Sequence, residues 1–145
     1  MILEESLKIN SAVKPLLGRF PKGKEHSSKG RPIVYGIPNC DTTKKTIALL
    51  NEHQVDFYFH DYKQLGITMQ KLEGWCEKAG WEIILNKRST TWRELDEAEQ
   101  KKVINQPAAV KLMMKNNSII KRPIIEFDKQ IVVGFNEDEI KRAIK

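Results

Sequence analysis

The fold turns on Ile33-Val34-Tyr35-Gly36-Ile37-Pro38-Asn39-Cys40-Asp41-Thr42-Thr43-Lys44-Lys45. Ile33, Val34 and Tyr35 form a short apolar run with β-branched and aromatic members, which predicts a strand. Gly36 to Asn39 is a turn signal. A helix is expected from about Asp41 to His53, with Ile47, Leu49 and Leu50 on its buried side. Cys40 therefore stands where a helix opens. Unpaired backbone N–H groups point outward there, and the helix dipole favours negative charge. Such placement lowers a thiol pKa from about 8.5 into the range of roughly 3.5–7.5. Lys44 and Lys45, one turn on, add positive potential. The bland alternative is a small buried cysteine, but the turn before Cys40 and its polar neighbours Asn39 and Asp41 argue against full burial. A thiolate in this place is a nucleophile toward disulfides, sulfenic acids or oxyanions.

Position 43 is Thr43, so the dithiol pattern C-x-x-C is absent and no local disulfide can form. Cys76, the other cysteine, lies beside Trp75 on an apolar helical stripe and reads as core. Cys40 must then be resolved by an outside thiol, and glutathione is the natural candidate in a reducing compartment.

Outward from this stretch, residues 55–61 read as a second strand. Met69, Leu72, Trp75, Cys76 and Ala79 recur at helical spacing from about Thr68, and Gly80 stops that helix. Two more helices are expected over 92–104 and 107–116, the second with Pro107 in its first turn. Thr91 followed by Glu94 fits a capping box, and Trp92 reads as core. Ile124 to Phe127 and Gln130 to Val133 flank the polar pair Asp128-Lys129 as a β-hairpin. Asn136 caps a last helix, with Glu139 three residues on. The order is βαβ, a helical insert over about 66–118, then ββα. Arg122 precedes Pro123 at the start of the hairpin, where an X-Pro bond can be cis. Arg122 is equally readable as an anion clamp beside the thiolate or as a solvated charge at a strand end. Arg88 and Arg93, in the polar run before and within the 92–104 helix, are further potential anion binders.

Hydrophobic residues make up 40% of the 145 and charged residues 30%, an ordinary globular balance. No apolar run approaches the roughly 18 residues of a membrane span. Two cysteines are too few for a secreted disulfide scaffold. Glu4 and Glu5 stand where a signal peptide needs positive charge. A cytoplasmic monomer is expected. The formal net charge is +6, of which an excess of four lies in residues 1–31, leaving two for the other 114 residues. That front segment is rich in Gly, Ser and Lys over 18–31 and reads as an arm or linker. Its earlier apolar residues, Ile2 to Leu17, could dock on the domain or on a neighbour. The skewed charge is a weak basis for nucleic-acid binding. Cys40, Cys76, His53 and His60 never fall in a metal-ligand spacing, and Gly36 alone makes no phosphate loop.

Five motifs in order carry a resemblance: Tyr35 to Lys45, Phe59-His60-Asp61-Tyr62, Leu85 to Leu95, Ile120 to Ile124, and Val133-Gly134-Phe135. Together they resemble the arsenate reductase (ArsC) family, in its branch near YffB and Spx, over about residues 32–145. The resemblance implies an α/β thioredoxin-like fold, a mixed sheet of about four strands flanked by helices, with an inserted helical subdomain. It implies Cys40 as the attacking cysteine and Arg122 before a cis Pro123. Of the three arginines around the cysteine in the family's arsenate reductases, Arg122 matches one. Asn86 stands at the second position, with Arg88 two residues on, and Val133-Gly134 stands at the third. The implied activity is that of a glutathione-dependent monothiol reductase with Cys40 and Arg122 catalytic. Asn39, Asp41, Thr42, Thr43, Lys44, Arg88, Arg93 and Pro123 are then the expected binding residues for substrate and glutathione. No tightly bound cofactor or metal is expected; glutathione is the co-substrate, and glutaredoxin and a thiol or disulfide substrate are the expected partners. The alternatives are an Spx-like module that binds RNA polymerase, whose usual C-x-x-C switch Thr43 removes, and true arsenate reduction.

Overall fold

The structure is a computed structural model that describes residues 31–144. The arm expected over 1–31 lies outside them except for Arg31. The described chain runs β1 (Ile33–Gly36), α1 (Asp41–Glu52), β2 (Tyr58–Asp61), α2 (Tyr62–Leu65), α3 (Met69–Ala79), α4 (Trp81–Ile84), α5 (Thr90–Arg93), α6 (Glu97–Lys101) and α7 (Gln106–Lys115). A 3₁₀ turn (Asn117–Ile119), β3 (Ile124–Glu126), β4 (Ile131–Val133) and α8 (Glu137–Ala143) complete it. It divides into two compact units: one holds residues up to Leu65 and from Arg122 onward, and the other is Gly66–Lys121.

The first unit is built on a four-stranded sheet in the order β2-β1-β3-β4. β1 and β2 are parallel, whereas β3 is antiparallel to both β1 and β4. A βαβ unit followed by an antiparallel hairpin and a closing helix is the thioredoxin-like arrangement. β1 is buried along its whole length because it lies inside the sheet. The register sets Phe59, Val34, Ile125 and Val132 in one row across the sheet. Ile47 and Leu50 of α1 and Ile140 of α8 pack with that row in one apolar core. Each such side chain contributes about 1.5–3 kcal/mol by leaving water. Ile47, Leu49 and Leu50 are buried as their spacing predicts. The hairpin closes through Phe127 N–H to the Gln130 carbonyl at 2.8 Å, around Asp128-Lys129. Asn136 caps α8, its side chain accepting from Glu139 N–H.

The second strand starts at Tyr58 rather than at 55. Tyr58 faces Ile33, the first residue of β1, so residues 55–57 have no strand to pair with. Val55 N–H instead turns back to the Leu50 carbonyl, and Phe57 fills the core from irregular backbone.

In the second unit, Thr68 caps α3 and Gly80 ends it at φ 94°. Leu72, Trp75 and Cys76 are buried, whereas Met69 at the first turn of the stripe is exposed. The single helix expected over 92–104 is two short ones. Asp96, extended at φ −70° and ψ 157°, restarts the chain as the N-cap of α6. The Gln100 side chain donates to the Trp92 carbonyl at 2.8 Å, satisfying an acceptor that a continuous helix would have used. The cap of α5 is Ser89, which accepts from Trp92 N–H, and not Thr91. Trp92 is buried, with Lys87 over its ring. Pro107 lies in the first turn of α7, which Asn105 caps.

Candidate active site

Cys40 sits where a tight turn hands over to α1. Its N–H donates to the Ile37 carbonyl at 3.1 Å, closing a four-residue turn in which Pro38 holds the second place. Cys40 is itself extended, at φ −105° and ψ 129°, and its carbonyl accepts the first helical bond from Lys44. It is thus the N-cap of α1, a place that usually gives a side-chain oxygen to the free N–H groups. The neutral thiol makes no regular cap bond. Its position nevertheless aims the sulfur at the Thr43 N–H.

Three residues gather on that sulfur. Thr42 Oγ1 lies 3.1 Å from Cys40 Sγ. Thr43 presents its N–H and, at poorer geometry, a fully buried hydroxyl that has no other well-aligned partner. Arg122 reaches the sulfur with its guanidinium from two residues before β3. β3 runs antiparallel to β1 and pairs Ile124 with Tyr35, which brings the chain just before β3 to the end of β1 where Cys40 begins. The Arg122–Pro123 bond is cis. Burial pushes the Cys40 thiol up. The Thr42 hydroxyl, the Thr43 N–H and hydroxyl, and Arg122 outweigh it and bring the pKa down to about 7. Lys44 and Lys45 are exposed one turn on; the positive charge beside the sulfur comes from Arg122, across the fold.

Tyr62 is a site residue to which sequence reasoning assigned no role. It is fully buried at the start of α2 and hydrogen-bonds the Arg122 side chain. Burial drives its own pKa up to about 12, so it stays a neutral phenol whose oxygen accepts from the guanidinium. Arg122 has Tyr62 on one side and Cys40 on the other. Burial opposes its charge, and both partners restore it, leaving its pKa raised. Asp61 sets this turn by accepting the Lys63 N–H at 3.0 Å. The usable signal was positional: sites in open α/β sheets gather beyond the carboxyl ends of parallel strands, and Tyr62 follows β2 as Cys40 follows β1.

Gly36 shows how closely α1 approaches the strand. A Cβ there would lie 2.7 Å from Thr43 Oγ1 and 3.0 Å from its Cγ2. Thr43, in the place a second cysteine would take, is therefore a buried wedge between strand and helix. Asn39, Asp41 and Lys44 are exposed around the same helix start. Arg88 and Arg93 are exposed residues of the other unit. Asn86 there accepts the Arg88 N–H at 3.1 Å and so closes its own turn. Cys76 is buried in α3, where burial and the nearby Glu73 and Glu77 push its thiol up to about 11.

Two outcomes follow. Tyr62→Phe removes the acceptor that steadies Arg122, so the alkylation rate of Cys40 at about pH 7 should fall severalfold, while Cys76 stays unreactive; an unchanged rate would deny Tyr62 a positioning role. Because the folded pKa of Cys40 lies below the unfolded thiol value, its contribution to stability is absent below about 7 and complete above about 9. Denaturant unfolding should therefore show the reduced protein gaining stability relative to Cys40→Ser as pH rises through that window, and parallel pH profiles would contradict this.

Residues 35–143 match the ArsC family. A solved structure of the YFFB (PA3664) protein is 42% identical with a TM-score of 0.75, covering 79% of this chain and 99% of that one. The solution structure of an arsenate reductase (ArsC) related protein from Brucella melitensis is 36% identical with a TM-score of 0.63, covering 79% of this chain and 95% of that one. The global transcriptional regulator Spx of Streptococcus pyogenes serotype M3 is 33% identical over 106 residues, 72% of this chain and 78% of the regulator. With a thioredoxin-like sheet and a capping cysteine at the head of its first helix, the chain belongs to the ArsC family, in the branch of YffB and Spx.

Proposed function

We propose that this protein is a monothiol reductase that uses the Cys40 thiolate as nucleophile and glutathione as reducing co-substrate. The observation that carries the reading is the sulfur itself. It is partly exposed, sits near neutrality in pKa, and has a threonine where a dithiol enzyme has its second cysteine.

The chemistry is two thiol–disulfide exchanges. The Cys40 thiolate attacks one sulfur of a substrate disulfide; the S–S bond breaks, and the departing thiolate takes a proton from solvent. Cys40 is left in a mixed disulfide. A glutathione thiolate then attacks the substrate-side sulfur, forms a new S–S bond to it and expels Cys40 as thiolate. The groups that favour the Cys40 anion serve both steps, since they make it a populated nucleophile and a good leaving group. Arg122 supplies the fixed positive charge at the sulfur. Asn39, Asp41, Lys44 and Pro123 are the proposed contacts for substrate and glutathione.

The Spx relative supports a second reading, a regulatory module that binds RNA polymerase without turnover. Thr43 weighs against it, because no disulfide switch can form at this helix start. Arsenate reduction has less support. Of the three expected arginine positions, one holds Arg122, one holds Asn86, which closes its own turn, and one falls at Val133-Gly134.

Glutathione-coupled reduction of a mixed disulfide should proceed with the wild-type chain and be lost in Cys40→Ser, which keeps the fold; Arg122→Lys should lower the rate by roughly tenfold, since an ammonium lacks the rigid planar fork that serves the phenol and the sulfur together. Full activity in Cys40→Ser would defeat the reading. No turnover together with retention of RNA polymerase subunits in a pull-down would transfer it to the regulatory alternative, and arsenate-dependent NADPH oxidation through glutathione and glutaredoxin would transfer it to the third.

A further inference from the structure

The Thr42 hydroxyl has more to do than one proton allows. Its oxygen lies 3.1 Å from Cys40 Sγ and 3.2 Å from the backbone carbonyl oxygen of Arg122. A hydroxyl carries one donor hydrogen, and a carbonyl can only accept. With Cys40 as a thiol the chain of bonds is complete: S–H donates to Thr42 Oγ1, and Thr42 O–H donates to the Arg122 carbonyl. With Cys40 as a thiolate the sulfur has no proton to give. Sulfur and carbonyl are then two acceptors competing for the single Thr42 proton. A charged acceptor makes a hydrogen bond roughly twice as strong as a neutral one, so the proton turns to the sulfur.

We propose that Thr42 is a positioning residue that works as a proton switch, tying the start of α1 to the Arg122 carbonyl while Cys40 is a thiol and releasing that carbonyl when Cys40 becomes a thiolate. The proton lost from Cys40 goes to solvent, and the Thr42 proton only reorients. A Cys40 held in a disulfide carries no negative charge, so the hydroxyl returns to the carbonyl. The backbone ahead of Pro123 is therefore tied in the thiol and covalent states and untied in the thiolate one. Thr42 also ranks first among the donors that favour the thiolate. The other groups facing the sulfur keep their charge state across the switch: Arg122 stays protonated and Tyr62 neutral. Asp41, Lys44 and Lys45, on the same helix, are exposed to water.

The inference deepens the proposed thiolate chemistry, and its test needs neither substrate nor glutathione, so its failure is separable from a failure of the reductase reading. The chain contains Arg-Pro at 31–32 and at 122–123 and nowhere else. Labelling arginine with ¹³C at the carbonyl and proline with ¹⁵N selects two carbonyl signals, with Arg31 as internal reference. In the wild-type chain the Arg122 signal should move with pH at a midpoint of about 7, and in Cys40→Ser it should not move. Thr42→Val should remove most of that movement and raise the Cys40 midpoint by about one unit, lowering alkylation at about pH 7 by roughly fivefold. Thr42→Ser should restore both. A Thr42→Val chain whose Arg122 signal moves as far as wild type would show a through-space charge effect and overturn the switch. So would a wild-type signal that stays fixed while Cys40 ionises.

Discussion

A negative charge on one sulfur, half-removed from water, is what the first unit is organised to hold. Burial is the largest single influence on Cys40, and it opposes ionisation. The thiolate is favoured only because two hydroxyls, one amide and one guanidinium act on it together. Three of the four lie within three residues of Cys40 in sequence, but the guanidinium comes from far along the chain. Thr42 and Thr43 ride on the first turn of α1, Arg122 arrives from the segment before β3, and Tyr62 steadies Arg122 from the end of β2. They meet because two parallel strands end, and one antiparallel strand begins, at the same edge of one sheet.

That convergence depends on the core beneath it. The row Phe59, Val34, Ile125 and Val132 fixes the register of all four strands, since a slip of one residue would turn these side chains to the opposite face. Ile47 and Leu50 anchor α1 on that row, and Thr43 wedges against Gly36 at the helix's first turn. The same threonine that excludes a second cysteine thus sets how closely the helix start can lie against the strand. Chemistry and packing share one residue there.

Much of this was legible in the sequence because it rests on local rules. The strand–turn–helix at 33–53, the two-residue hairpin turn and the Asn136 cap each follow from residue types at short spacing. The inert character of Cys76 follows from its stripe. What was not legible rests on long-range partners. Residues 55–57 have strand-like composition but find no strand to pair with, because β1 begins opposite Tyr58. The helix over 92–104 breaks at an extended Asp96, and the Gln100 side chain takes the Trp92 carbonyl in a way that periodicity does not register. Arg122 reads equally well as clamp or surface charge until the antiparallel course of β3 sets it beside the sulfur. Tyr62 looks like an ordinary aromatic until its hydroxyl meets Arg122. At Cys40 the helix end contributes one amide, and side chains, one of them distant in sequence, supply the rest.

The most direct test is the far-ultraviolet absorbance of the thiolate, followed against pH with Cys40→Ser as the blank. A single step with its midpoint at about 7 is expected. A step at about 8.5 or above, the value of a free cysteine, would contradict it, because the donors gathered at the head of α1 would then leave the sulfur no more acidic than in an unfolded chain.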